Sequence, residues 1–194
     1  MIKTLPQQID DPKVWQEFKA GNIRAFNQIY NQYYKIIYNY GYNIFADKDF
    51  IKDNLQELFF EIWRDKANLG DVKSIKFYLL ISFRRKVLYN LNKQRKALKK
   101  NVDYTQQELE PYNESYEQGL IDRHLQKVQH QYITQIIQTL PERQKEAIYL
   151  KFYQDLSYQE IMEVMSLKYQ TVRDLIYKAL KTLRKRAAFE KIAL

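Results

Sequence analysis

The sequence predicts an all-α protein built of two small helical domains, and three observations carry that prediction. Only four Gly and four Pro occur in 194 residues, which leaves little room for the tight turns of an all-β chain. Apolar residues recur at steps of three and four along most of the chain, the spacing of helices that each bury one face. The charge also swings at the centre: Val72–Val102 carries ten Lys or Arg and no acid, whereas Asp103–Asp122 carries six acids and no Lys or Arg. Such a swing marks a boundary between two folded parts.

The first domain is read as a helical bundle over residues 1–100. Asp11 and Pro12 open a short helix through Trp15 and Phe18, and Gly21 closes it, since Pro suits a first turn and Gly the residue past a last one. Asn22 caps a second helix whose seam is Ile23, Phe26, Tyr30, Tyr33, Ile37 and Tyr40. A third begins near Asp49, with Ile51, Leu55, Leu58, Phe59, Ile62 and Trp63 on one side. Ser74 caps a fourth that runs toward Lys96 through Leu79, Leu80, Phe83, Val87 and Leu91. Residues 101–127, with Pro111, Gly119 and no sustained helical periodicity, read as a flexible acidic linker.

The second domain spans 128–194 and reads as four helices. Ile133, Ile136, Ile137 and Leu140 mark the first, and Pro141 suits the first turn of the next, with Ile148 and Phe152 on its apolar face. Ser157 and Glu160 have the spacing of a capping box ahead of Ile161, Val164 and Met165. Only Ser166, Leu167 and Lys168 separate that helix from the last, whose stripe is Val172, Leu175, Ile176, Leu180 and Leu183. Three residues allow only a sharp turn, so the two helices cross steeply as in a helix-turn-helix. From 168 to 191 there are eight Lys or Arg against Asp174 and Glu190, a basic face suited to phosphates. A basic face alone is equally a solvated surface; cap, turn and third apolar helix together favour DNA.

Composition narrows the function classes. A formal net charge of +9 and a pI near 9.4 favour a polyanionic partner. The absence of cysteine excludes disulfide and thiolate chemistry and fits a reducing compartment. No apolar run approaches the roughly 18 residues of a membrane span, and MIKTLPQQIDDPK has no signal-peptide core. A cytoplasmic protein without membrane insertion is therefore expected. His124 and His130, six apart, are poorly spaced for a metal on one helical face, and no phosphate loop, dinucleotide motif or nucleophile elbow occurs. No catalytic residue, metal or cofactor is expected.

Nearly the whole chain resembles a bacterial RNA polymerase sigma factor of the extracytoplasmic-function group of the sigma-70 family. WQEFKAGNIRAFNQIYNQYYKIIYNYGY is similar to the opening of the family's second region, DNLQELFFEIWRD to its polymerase-docking helix, and SIKFYLLISFRRKVLYNLNKQRK to its melting and minus-ten-reading helix. LPERQKEAI, LSYQEIMEV and TVRDLIYKALKTLRK follow in the order of the fourth region. The long intermediate region is missing, which places the chain with the two-domain group. Two positions depart from the pattern: Ser166 stands where a turn Gly is usual, and Lys168 where a small polar cap is common, leaving the register of the reading set open by one residue.

The resemblance implies partners and site residues. Asp53, Gln56 and Glu57 would contact the beta-prime clamp helices of core RNA polymerase, and the fourth region would meet the beta flap; on the residues alone, the three are equally a solvated polar face. Lys73, Lys76, Arg84, Arg85, Lys86 and Lys93, with Arg95 and Lys96, are offered to phosphates at the minus-ten element. The interleaved Phe77, Tyr78, Phe83 and Tyr89, or the loop from Lys66 to Lys73, would accept an unstacked base, although Phe83 reads better as core. Tyr169, Gln170, Arg173, Tyr177 and Lys178 would read the minus-thirty-five element. The function implied is promoter recognition, DNA opening and transcription initiation, with an anti-sigma factor as regulator. The alternative is a helix-turn-helix regulator that acts at an operator without being a polymerase subunit.

Overall fold

The computed structural model describes residues 11–45, 47–100 and 135–190, with side chains to 96 and to 186. Every regular element among them is helical. The chain divides into two compact units, Met1–Thr105 and Gln106–Leu194. The expected linker over 101–127, Val128 and Ile133 lie outside the described residues.

In the first unit, α1 (Asp11–Lys19), α2 (Ile23–Phe45) and α3 (Lys48–Arg64) are followed by a 3-10 turn (Lys66–Asn68) and α4 (Ile75–Lys100). The breaks follow local chemistry. Gly21, at φ +89°, lets Asn22 N–H reach Glu17 O and its own N–H reach Phe18 O, the paired bonds that close a helix through a left-handed residue. Asn22 Oδ1 then accepts from Arg24 N, Asp47 Oδ1 from Phe50 N, and Ser74 Oγ from Phe77 N, each satisfying an amide the helix start leaves open.

The core lies where α2, α3 and α4 meet, and Ile37, Tyr40, Ile51, Leu55, Leu79 and Phe83 are fully enclosed in it. Burying an aliphatic or aromatic side chain of this kind contributes about 1.5–3 kcal/mol. Asp11 fastens α1 to the rest: it accepts from Tyr33 Oη at 2.8 Å and from Ile75 N at 2.9 Å. Burial, reinforced by that carboxylate, pushes the Tyr33 phenol upward, so it remains a donor. The seam of α2 is rotated from the predicted one. Ile23 is 52% exposed, while Ala25, Ile29, Tyr33, Ile37 and Tyr40 face inward. Ala25 carries no strong apolar signal, and Tyr residues lie on several sides of the helix, so periodicity alone does not fix which face turns inward.

In the second unit, residues 135–138 close a helix, and then come α5 (Glu142–Ile148), a π-helical turn (Tyr149–Tyr153), α6 (Tyr158–Met165) and α7 (Tyr169–Glu190). Ile136 and Leu140 are buried as expected. The π turn corrects one expectation: Phe152 is 57% exposed, and Tyr149 and Leu150 take the inward positions. A π turn inserts an extra residue per turn, here through Gln154 N–H to Tyr149 O, and so shifts the face that an α-periodic reading assigns.

Candidate polymerase-docking and DNA-reading surfaces

The helix-turn-helix is assembled by three local devices. Ser157 Oγ accepts from Glu160 N at 3.2 Å while Glu160 Oε2 accepts from Ser157 N at 2.7 Å, the reciprocal capping box. Ser166 takes a left-handed conformation, φ 53° and ψ 49°, and Leu167 N–H to Met162 O with Ser166 N–H to Glu163 O close α6. Val172 N–H then bonds Lys168 O, so α7 begins at Tyr169 and the register left open by Lys168 is fixed. Val172, Ile176 and Ala179 bury the inner side of α7.

All five residues predicted for reading lie exposed on α7: Tyr169, Gln170, Arg173, Tyr177 and Lys178. At about 100° per residue, the first four share one arc and Lys178 flanks it. Tyr169 packs against Tyr158 of α6 at 5.7 Å between ring centroids, and Gln170 donates to Asp174 at 3.2 Å. Arg173 sits between the two exposed tyrosines on this arc, in the N-terminal half of the helix that can enter a groove.

On α3, Asp53, Gln56 and Glu57 are all exposed. The spacing also brings Phe60 onto their face, and it is 64% exposed. The sequence reading missed Phe60 because it adjoins Phe59, which is buried; the phase of the helix distinguishes them. Arg64 Cζ lies 6.0 Å from the Phe60 ring centroid.

The cations expected on and before α4 separate into kinds. Lys73, Arg85 and Lys93 are exposed, as are Arg95 and Lys96, and Lys76 is half-buried. Arg84 is only 8% exposed, which removes it from an open phosphate-binding face. Lys86 bridges two carboxylates of α3, Glu57 at 3.1 Å and Glu61 at 2.8 Å. The reason is helical phase: Arg84 falls beside the inward Phe83, and Lys86 one turn before Asn90 faces α3, where Asn90 donates to Asn54 at 2.8 Å. Phe83 is core, as its position in the stripe predicts.

Between α3 and α4 lies an open cleft of about 480 Å³ whose walls include Glu57, Glu61, Asp65, Leu69, Tyr78, Ser82, Arg85, Lys86 and Tyr89. Tyr89 is 69% exposed. Tyr78 leans edge-on against Trp15 at 5.1 Å, and burial raises its phenol, keeping it a neutral donor. The Arg64 guanidinium holds Asp65 below the usual carboxylate range, so the rim stays anionic near neutral pH. A planar group entering the cleft would therefore meet aromatic surface, hydroxyl donors, one free-standing guanidinium and carboxylate acceptors. Among the described residues no group of acidic, His or Cys side chains is arranged to hold a metal ion, and no helix is long and apolar enough to cross a membrane.

The comparisons agree with this architecture. Residues 130–183 match the family model described as sigma-70, region 4. The ECF RNA polymerase sigma factor SigK of Mycobacterium bovis is 20% identical over 161 residues, covering 82% of this chain and 84% of its own, and SigK of Mycobacterium tuberculosis matches equally. In fold, the chain is similar to the sigma factor RpoE of Bartonella quintana, solved with the anti-sigma factor NepR, with a TM-score of 0.62, 16% identity, and 82% of this chain and 94% of that one covered. It is also similar to CnrH, solved with the cytosolic domain of CnrY, with a TM-score of 0.61, 15% identity, and 92% and 97% covered. Residues 130–183 thus match a sigma-70 region 4 domain, and over most of its length the chain is similar to sigma factors of the extracytoplasmic-function group, with which it shares a helical fold.

Proposed function

We propose that this chain is a sigma factor that docks on the beta-prime clamp helices of core RNA polymerase through the outer face of α3 and directs initiation by reading two promoter elements, one with each unit. The observation that carries the proposal is the outer face itself: Asp53, Gln56 and Glu57 surround the exposed Phe60. An exposed aromatic ringed by polar groups is the composition of an interface anchor. An operator-binding regulator would have no use for such a face, and the sequence similarity favours the sigma factor.

In this reading residues 1–100 dock and open the minus-ten element, 128–194 read the minus-thirty-five element and meet the beta flap, and 101–127 tether them. Arg85, Lys73 and Lys93 meet phosphates. The cleft beside Tyr78 and Tyr89 accepts an unstacked base, where aromatic stacking contributes about 1–3 kcal/mol. Binding single-stranded DNA stabilises the opened promoter, so the chain works by binding, in the cytoplasm, without a cofactor; nucleotide chemistry belongs to the polymerase. RpoE and CnrH were each solved with a partner, NepR and the CnrY cytosolic domain, which supports an anti-sigma factor for this chain as well.

The test is runoff transcription with core polymerase and a promoter library. Promoter-specific transcripts are expected from the wild type, and Phe60→Ser is expected to lower them by weakening core association. No transcript from demonstrably active core would sink the proposal.

A further inference from the structure

Lys86 is placed where neither a surface cation nor a free phosphate contact belongs. Its side chain is 11% exposed, and its ammonium lies 3.1 Å from Glu57 Oε2 and 2.8 Å from Glu61 Oε2. Both carboxylates are on α3, four residues apart, while Lys86 is on α4. Asn90, one turn further along α4, reaches the same Glu57 Oε2 at 3.4 Å and Asn54 Oδ1 at 2.8 Å. Both contacts to Glu57 thus fall on one oxygen, and Oε1 is left for a donor arriving from outside. Glu57 itself is 53% exposed at its side chain.

We infer that Lys86 is a positioning residue of the polymerase-docking face, which fixes the Glu57 carboxylate for a cationic partner group, rather than a contact to promoter phosphate. The inference rests on the docking role proposed for α3. Withdrawing Lys86 toward DNA would strip a largely buried ammonium from two carboxylates and leave those carboxylates facing each other uncompensated, a cost that one phosphate contact at a solvated surface does not offset. Holding Glu57 by one oxygen lowers the side-chain entropy lost when the other binds. Lys86 also neutralises part of the acidic wall of the cleft, so the docking face and the cleft share one side chain on each helix.

The experiment uses full-length protein and core polymerase, with Lys86→Met, Lys86→Gln, Lys86→Arg, Glu57→Gln, Phe60→Ser and Arg85→Met. Two quantities are read: affinity for core, and the dependence of holoenzyme–promoter binding on salt, both at a temperature where circular dichroism shows each variant folded. Lys86→Met and Lys86→Gln should weaken core association by about fivefold, the worth of one net hydrogen bond, and Lys86→Arg should recover most of it. Their salt slopes should equal the wild type's, whereas Arg85→Met should lower its slope by about 0.7–0.9, one phosphate. Lys86 variants that bind core normally but lose the same slope as Arg85→Met would overturn the inference. Glu57→Gln and Phe60→Ser separate it from its premise: a weakened core complex with either variant and normal binding by Lys86→Met defeats the Lys86 role alone, while normal binding by both Glu57→Gln and Phe60→Ser defeats the docking role of α3.

Discussion

The face of α3 proposed for docking and the face of α7 proposed for reading are both polar helix surfaces, yet they are held in place differently. On α3, Glu57 and Glu61 are tied to Lys86, and Asn54 to Asn90, so the Glu57 side of the surface is held by the packing of α3 against α4. On α7, Tyr169, Arg173 and Tyr177 project from one helix, and the polar contact within the set is a single bond from Gln170 to Asp174 one turn away. The first face is a product of tertiary packing, the second of helix phase and capping. A core lesion should therefore disable docking, and a lesion in the turn or cap should disable reading.

The largest effect should come from the packing beneath the α3–α4 surface. Phe83 is fully buried, and a β-carbon placed on Gly41 of α2 would lie 2.8 Å from its ring and 3.0 Å from Ile51 Cγ2. Phe83→Ala should cost about 3–5 kcal/mol through lost burial and a residual cavity. Gly41→Ala should cost about 1–3 kcal/mol, because the enclosed ring cannot yield and the clash outweighs alanine's better helix propensity. Denaturant unfolding of the full chain, followed by Trp fluorescence since Trp15 and Trp63 both belong to the first unit, measures either loss. Core association should fall in parallel, while duplex binding through α7 persists. Unchanged core association in a destabilised Phe83→Ala protein would erase the contrast between the two faces.

The same contrast explains what could be read from the sequence. The all-α fold, the capping box at Ser157 and Glu160, the Gly21 closure and the five exposed residues of α7 all follow from neighbours within about four positions, where residue type and helical phase suffice. The α4 cations did not separate this way. Arg84, Arg85 and Lys86 are consecutive and chemically alike, yet one is buried, one exposed and one paired to α3, because the partners lie on another helix some thirty residues away. Phe60 is a different case: helical phase already puts Phe59 inward and Phe60 on the face of Asp53, Gln56 and Glu57, but an apolar residue on a polar face is not singled out by residue type. At Tyr149–Tyr153 the backbone itself changed period, and Phe152 moved outward.

On α7 the expected effects are smaller and cleaner. Arg173 is exposed in the middle of the reading arc, so Arg173→Ala should alter stability by no more than about 0.5 kcal/mol. It should reduce discrimination among upstream promoter sequences by about 1–3 kcal/mol, the worth of one good base contact. Competitive transcription from promoters mutated singly in the upstream element measures this, and an unchanged ranking would remove Arg173 from the reading set. Ser157→Ala should cost about 1 kcal/mol by leaving the amide at Glu160 without its cap. That loss should appear in the second unit's unfolding, with Trp fluorescence of the first unaltered.

The smallest effect tests the turn itself and should have the opposite sign. Ser166 holds φ 53° and ψ 49° at the end of α6, a conformation that costs a residue with a β-carbon about 1–2 kcal/mol. Glycine adopts it freely but loses about 0.5–1 kcal/mol more backbone entropy on folding than other residues. Ser166→Gly should therefore stabilise the second unit by up to about 1 kcal/mol. Reading should be unaffected, because the bonds that close α6, from Leu167 to Met162 and from Ser166 to Glu163, and the one that opens α7, from Val172 to Lys168, are all between backbone atoms and need no serine hydroxyl. Hydrogen exchange of the amides in α6 and α7 gives the local measure, slowed by up to about fivefold in the variant for amides that exchange through opening of this unit. Faster exchange would mean that Ser166 stabilises the turn through its side chain, and the placement of α7 would then depend on more than backbone geometry.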